Sequence, residues 1–499
     1  MTSGTLATGA IQDAMSDCLA RHAGRRAVVG AEPLSYDELG RRIADAARRL
    51  REAAGAGAPL HVGFCLANRP EYVILYFGTL EARGLPLLLD ASFNTGEIEA
   101  IRGDCGLDLL VIERARAEAL DLPGKGSPVP FAGDVVLLPL ARSGAPRFQP
   151  RPSTEVCRFT SGTTGRPKCL EFSGDAVVSA ARNWVLGTGM NGDDRTLCLA
   201  VLSNGLAFNT SLLSTFVAGG EIHFLKGVPL TRPVAQRIVE SGITRLVAFP
   251  TLYRNFVAPG GPEPSALAGL RYAISAGAPL WPDVREEFRA RYGLDISDYY
   301  GIAETGPCTF ERDPGHHAGL GGPLPGAEVR IAPAPDEEEA GEVLVRTSSM
   351  ASGYLNHPGQ FEQRMDAEGF YHSGDRGRIV DGRLHLVGRT QDHINVAGRK
   401  IDPTEIVAVV RGLDGVEDAV AFPNEDLNRE ALVHLVVVAS APGLTKAAVT
   451  EACRSRLAPY KVPGRIDFVA EIPRTGIGKP RIAALREQLN SKSGKETTG

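Results

Sequence analysis

Short apolar runs alternate with helix-length stretches through the first 300 residues, and this alternation confines the chain to βαβ units on mostly parallel sheets. Leu60 to Cys65, Leu87 to Leu89 and Leu109 to Ile112 read as strands, with an amphipathic helix from Glu71 to Arg83 between the first two. Residues 11–55 read as helical, because Tyr36 to Ala53 carries apolar residues at helical spacing with arginines opposite. The alternation returns at 195–256 and 270–302. After Gly321 short strands and turns take over, at Glu328 to Ile331, Gly341 to Arg346 and Arg383 to Val387. Asp336 to Glu339 is a charge run and reads as a solvated loop. From Thr404 a smaller α/β pattern begins: helices at 404–411 and 445–457, strands at 416–422, 431–439 and 465–469. At 499 residues the chain exceeds one ordinary core. A boundary between Leu386 and Asp392 gives an N-terminal domain at 1–388, a C-terminal domain at 392–490 and a polar, disordered tail at 491–499. The fold class is therefore α/β: a large N-terminal domain with mixed, mostly parallel sheets, and a small C-terminal α/β domain.

Several function classes are disfavoured. A net charge of −5 lacks the basic face that sequence-independent nucleic-acid binding needs. Eight cysteines, at 18, 65, 105, 157, 169, 198, 308 and 453, form no CxxC pair, so buried free thiols are expected rather than a zinc site or disulfides. His316-His317 follows a turn and reads as surface, and Trp184 and Trp281 read as packing residues. The N-terminus has no basic region followed by an apolar one, and no window is apolar enough to span a bilayer. A cytoplasmic protein with no membrane partner is the expectation.

The most informative segment is Phe159-Thr160-Ser161-Gly162-Thr163-Thr164-Gly165-Arg166-Pro167-Lys168. Its glycines let backbone N–H groups turn inward as an anion nest, its hydroxyls donate, and Lys168 adds a mobile positive charge. GxxxxGK[ST] is absent, so this is no Walker A loop. A polar turn would explain any three of these residues, but not the whole run closed by Pro-Lys. The run resembles the phosphate loop of the adenylate-forming superfamily: acyl-CoA synthetases, peptide-synthetase adenylation domains and luciferases. The resemblance covers essentially the whole chain, with further motifs in the family's order.

That resemblance implies an ATP-dependent, AMP-forming ligase that uses magnesium, with roles for particular residues. In Asp298-Tyr299-Tyr300-Gly301-Ile302-Ala303-Glu304-Thr305-Gly306, Tyr300 would stack on adenine, with Tyr299 and Gly301 beside it, and Asp298 would accept from the adenine amino group. Glu304 would help hold Mg²⁺ and Thr305 would lie near the α-phosphate. Taken alone, the same run is a strand and a glycine turn. Asp375, in Tyr371-His372-Ser373-Gly374-Asp375, would bind both ribose hydroxyls, with Arg389 nearby. Gln391 stands at the hinge, where the family has Asp or Lys, and Gly398 would let a pantetheine arm pass. Lys479, in Ile472-Pro473-Arg474-Thr475-Gly476-Ile477-Gly478-Lys479, would be the catalytic lysine, with Lys168 and Glu304 as its partners in catalysis. By the same resemblance the C-terminal domain is mobile and serves both half-reactions.

The acid pocket is expected between residues 200 and 310, from Asn204, Phe208, Asn209 and Gly277. A neutral Asn209, where relatives have the aspartate that pairs with an α-ammonium group, disfavours ordinary α-amino acids. A second alignment puts Asn204 where aryl-acid relatives hold a 2-hydroxyl; turn-capping is the plain alternative for both asparagines. Aryl or short acyl acids are the expected class and CoA the expected co-substrate. A phosphopantetheinylated carrier protein or an amine is the alternative acceptor, nitrite the alternative acid, and a non-catalytic nucleotide sensor the alternative function.

Overall fold

The fold is that of a computed structural model, which describes residues 9–493 apart from 31, 56–59, 94, 142–146, 161–166, 226, 228, 278–279, 317–318, 335–336, 390–393, 397–398, 402, 426–430, 441–442, 458–460, 476–477 and 479. The chain forms two compact units: Met1–Val329 with Val345–His372, and Arg330–Leu344 with Ser373–Gly499. This division falls upstream of the 388–392 boundary expected above. The strands Tyr371–Val380 and Arg383–Arg389 sit in one four-stranded sheet with Ala327–Ala334 and Glu337–Thr347, and the sheet keeps most of these residues together.

The first unit is built on two sheets. One runs in the order Gly353–Tyr354, Lys168–Ser173, Thr154–Thr160, Leu85–Leu88, His61–Cys65, Leu109–Glu113, Val135–Pro139, Val129–Ala132. Its inner pairings are parallel and its margins antiparallel. The other sheet runs Gly322–Pro323, Gly306–Phe310, Ile296–Ile302, Tyr272–Ser275, Arg245–Ala248, Arg195–Cys198, Glu221–Phe224, Arg26–Val29, Pro33–Ser35, and is likewise parallel inside. The largest core joins one face of each sheet through the helices Ala10–Arg21, Tyr36–Ala54, Pro70–Glu81 and Gly174–Thr188. The remaining faces carry separate cores, under Thr95–Cys105 in one case and under Thr231–Ser241, Pro250–Val257 and Pro282–Tyr292 in the other. Parallel sheets need both faces covered, and the five alternating layers supply that.

Three sequence expectations change. Residues 11–55 are not one helical stretch: Arg26–Val29 and Pro33–Ser35 interrupt it, and Ser35 caps the next helix by accepting from Glu38 N–H at 3.2 Å. Helix Pro70–Glu81 is apolar on every side rather than amphipathic, with Tyr72 to Leu80 all buried, because it lies between the two sheets. Glu337 to Glu339 open a strand instead of a loop. Every cysteine is a buried free thiol, as expected.

The second unit contains the three-stranded sheet Val416–Glu425, Ala431–Ala439, Arg465–Val469. Helices Pro403–Arg411 and Lys446–Arg456 pack on one face and Ile482–Ser493 on the other. That last helix runs into the segment read as a disordered tail, as far as Ser493. Among the described residues no helix is long and apolar enough to cross a membrane.

Candidate active site

Strand Thr154–Thr160 turns back antiparallel into Lys168–Ser173, with Thr160 opposite Lys168. A hairpin therefore brings the two ends of the Gly/Thr run side by side. Ser161, Gly162, Thr163, Thr164 and Gly165 lie outside the described residues. Lys168 Nζ sits 5.6 Å from the centre of the Tyr354 ring. The Tyr354 hydroxyl donates to Glu304 Oε1 at 2.6 Å, and burial together with the Glu304 charge holds that phenol well above its usual range. Lys168, Tyr354 and Glu304 thus form one cluster, although they come from sequence positions far apart.

The second motif occupies strand Ile296–Ile302 and the turn to Gly306–Phe310. Strand alternation separates its residues. Tyr299 points into the core, edge-on to Trp184 at 5.0 Å, while Tyr300 and Asp298 share the other face. Asp298 is 6% exposed and ion-paired with Arg285; burial pushes its carboxyl up to about 6, against the pull of Arg285. Gly301 is required by the hairpin itself, since a Cβ there would meet Gly306 O at 2.5 Å. Thr305 is fully buried, with its hydroxyl 3.1 Å from Cys308 Sγ and its carbonyl accepting from Thr347 and Ser349 hydroxyls at 2.9 and 2.8 Å. One hard carboxylate, Glu304, suits a magnesium ion whose other ligands are phosphate oxygens and water. Among the described residues no group of three or more His, Cys, Asp or Glu side chains could hold a metal by itself.

The residues expected around the acid differ in their surroundings. Asn204 does cap a turn, its Oδ1 accepting from Leu206 N–H at 2.9 Å. Phe208 and Asn209 are buried in a π-helical turn, Phe208–Leu212, a conformation that widens a helix and recurs at functional sites. Gly277 has φ +84° and a Cβ there would touch the Phe249 ring at 3.0 Å. Sequence reasoning missed Arg158, on the phosphate-loop strand two residues before Thr160. It is 3% exposed, with its guanidinium carbon 4.1 Å from the Phe172 ring centre and 5.1 Å from that of Phe208. A lone charge in the apolar run Val156-Cys157-Arg158-Phe159 was the available signal.

In the second unit, Asp375 is 3% exposed and pairs across the sheet with Arg389. Its N–H donates to Ser373 Oγ at 3.0 Å, and Gly374 N–H donates to Glu342 Oε1 at 2.9 Å. Lys479, Gln391 and Gly398 lie outside the described residues. The base of the Lys479 loop is described: Arg474 pairs with Asp418 at 2.6 Å and donates to Gly478 O at 2.6 Å.

Residues 15–355 match the family described as AMP-binding enzyme, and residues 405–479 match the AMP-binding enzyme C-terminal domain. A feruloyl-CoA synthase of an Amycolatopsis species is 29% identical over 476 residues, spanning 92% of this chain and 95% of its own. A 3-hydroxybenzoate/4-hydroxybenzoate CoA ligase of Thauera aromatica is 26% identical over 472 residues, spanning 88% and 89%. Among solved structures, ATP-bound MatB from Rhodopseudomonas palustris has the same fold, with a TM-score of 0.81 at 22% identity over 95% of this chain and 98% of its own.

Proposed function

The chain belongs to the AMP-binding enzyme family and is an AMP-forming acid–thiol ligase, and on that premise we propose that it activates an aryl or short acyl acid, not an ordinary α-amino acid, and passes the acyl group to CoA. The observation that carries this reading is the hairpin that sets Lys168 beside the Tyr354–Glu304 pair, directly after the Gly/Thr run. The substrate carboxylate attacks the α-phosphorus of ATP and pyrophosphate leaves. Two anions must meet; unit charges ~4 Å apart repel by about 1 kcal/mol in water and by several times more in a drier site. Lys168 and Lys479 supply opposing charge as it builds on the transferring phosphate. Glu304 would hold magnesium, which supplies further charge neutralisation when bound. Asp298 and Tyr300 would hold adenine, Asp375 and Arg389 the ribose. The neutral, buried Asn209 supports exclusion of α-amino acids, and the two curated CoA ligases that resemble the chain support the aryl class.

The C-terminal domain is proposed to serve adenylation through Lys479 and then thiol transfer along Gly398, turning near Gln391. The test is ATP–pyrophosphate exchange over a panel of aryl, short acyl and α-amino acids. Release of AMP is then followed with CoA, a pantetheinylated carrier or an amine as acceptor. Exchange with aryl or short acyl acids and CoA-dependent AMP release are expected. Exchange confined to α-amino acids, or AMP release driven by an amine alone, would overturn the reading.

A further inference from the structure

Arg158 is a buried cation whose hydrogen-bonding capacity is largely unused. Nη2 donates to Ala303 O at 3.3 Å, while Nε and Nη1 have no partner. The contrast is Arg245, also fully buried, which has Asp194 at 3.5 Å and Thr188 at 2.9 Å. Among the described residues no carboxylate comes within ion-pair distance of Arg158. Removing a charge from water without a counter-charge costs several kcal/mol, so a native structure that keeps one there is prepared for an anion. The two phenylalanine rings hold the guanidinium in place and stabilise it electrostatically. Gly205 packs directly against the buried Nη1: a Cβ at that position would lie 2.7 Å from it, so only a glycine leaves the guanidinium its place. Burial lowers the pKa to about 10, so the side chain is cationic at neutral pH.

The position says which anion. Arg158 is bounded by Gly205 and Phe208 from the acid segment and by Ala303, next to Glu304. Two more buried donors without partners belong to aromatic rings of the same region: the Tyr76 hydroxyl, whose ring is 5.8 Å from Phe208, and Trp184 Nε1, whose ring packs on Tyr299. With Arg158 they leave three buried donor groups unpaired in this region, spare capacity that suits an anionic group rather than a wholly apolar one. We propose that Arg158 is a specificity-determining residue that binds a second anionic group on the acid, so that the enzyme activates acids bearing two acidic groups in preference to their singly acidic counterparts. This inference rests on the acid-activating function proposed above.

The experiment is ATP–pyrophosphate exchange by the full chain with matched pairs: malonate against acetate, glutarate against butyrate, phthalate against benzoate. At least one diacid is expected to exceed its monoacid partner by roughly tenfold or more in kcat/KM. Arg158→Met is expected to lose roughly 100-fold with that diacid and to keep or improve the monoacid rate, with Arg158→Lys in between. The melting temperature of each variant establishes folding; if Arg158→Met does not fold, Arg158→Lys and the wild-type preference decide. Monoacids favoured by the wild type, or equal loss with both acids in a folded variant, would overturn the proposal. Absence of exchange with every acid has a different signature, and would defeat the ligase reading itself.

Discussion

The adenine contact proposed for Asp298 would couple pH to nucleotide binding. An adenine amino group needs the ionised carboxylate, and burial has moved this carboxyl up to about 6. As pH falls through about 6 the carboxyl protonates, so KM for ATP is expected to rise about tenfold per pH unit below that point, and Asp298→Asn to flatten the profile. Stability runs the opposite way. A carboxyl whose folded-state pKa is raised contributes most below the ordinary carboxylate range, and that contribution disappears as pH rises through about 6. Tyr354→Phe removes the 2.6 Å hydrogen bond to Glu304 and should slow adenylation by about tenfold with little change in melting temperature. A steady-state assay at saturating ATP checks this, and an unchanged rate would count against the cluster. Asp298 was singled out because a tyrosine pair and a Glu-Thr-Gly turn follow it in a recognisable order. Arg158 left only a lone charge in an apolar run, and Tyr354 left no local mark at all, since no strand pattern says which distant ring will meet a lysine.

Elements with one wet face announced themselves, and those with none did not. Tyr36–Ala54 was read in near-final form because its arginines mark the solvent side. Pro70–Glu81 was located correctly but misjudged in character, since only tertiary packing tells a helix between two sheets from one on a surface. The pair Arg26–Val29 and Pro33–Ser35 was swallowed by helical neighbours because strands of four and three residues carry little pattern of their own. The hairpin after Tyr300 offers a test at this scale. Gly301→Ala forces a Cβ to within 2.5 Å of a backbone oxygen, which should cost about 1–3 kcal/mol and lower the melting temperature by several degrees. If Gly301 served the nucleotide alone, KM for ATP would rise while thermal stability stayed the same.

At the scale of the molecule, the chain's length and its change of texture after Gly321 foretold two units, but not where they divide. The sheet that holds Asp375 draws on residues before and after the segment Val345–His372, and such interleaving leaves no composition break to read. The proposed division of labour predicts that Lys479→Ala abolishes pyrophosphate exchange yet still transfers acyl from preformed acyl-AMP to CoA. Equal loss of both half-reactions would reject the two-state scheme. The parallel pairing of Val28 with Ile222 also bears on biosynthesis. At about 5–20 residues per second, a ribosome takes roughly 10–40 s to deliver the partner after the first strand has been made. Through that interval the strand edge that will take Glu221–Phe224 has no native partner, the condition under which an open edge can pair with a wrong strand.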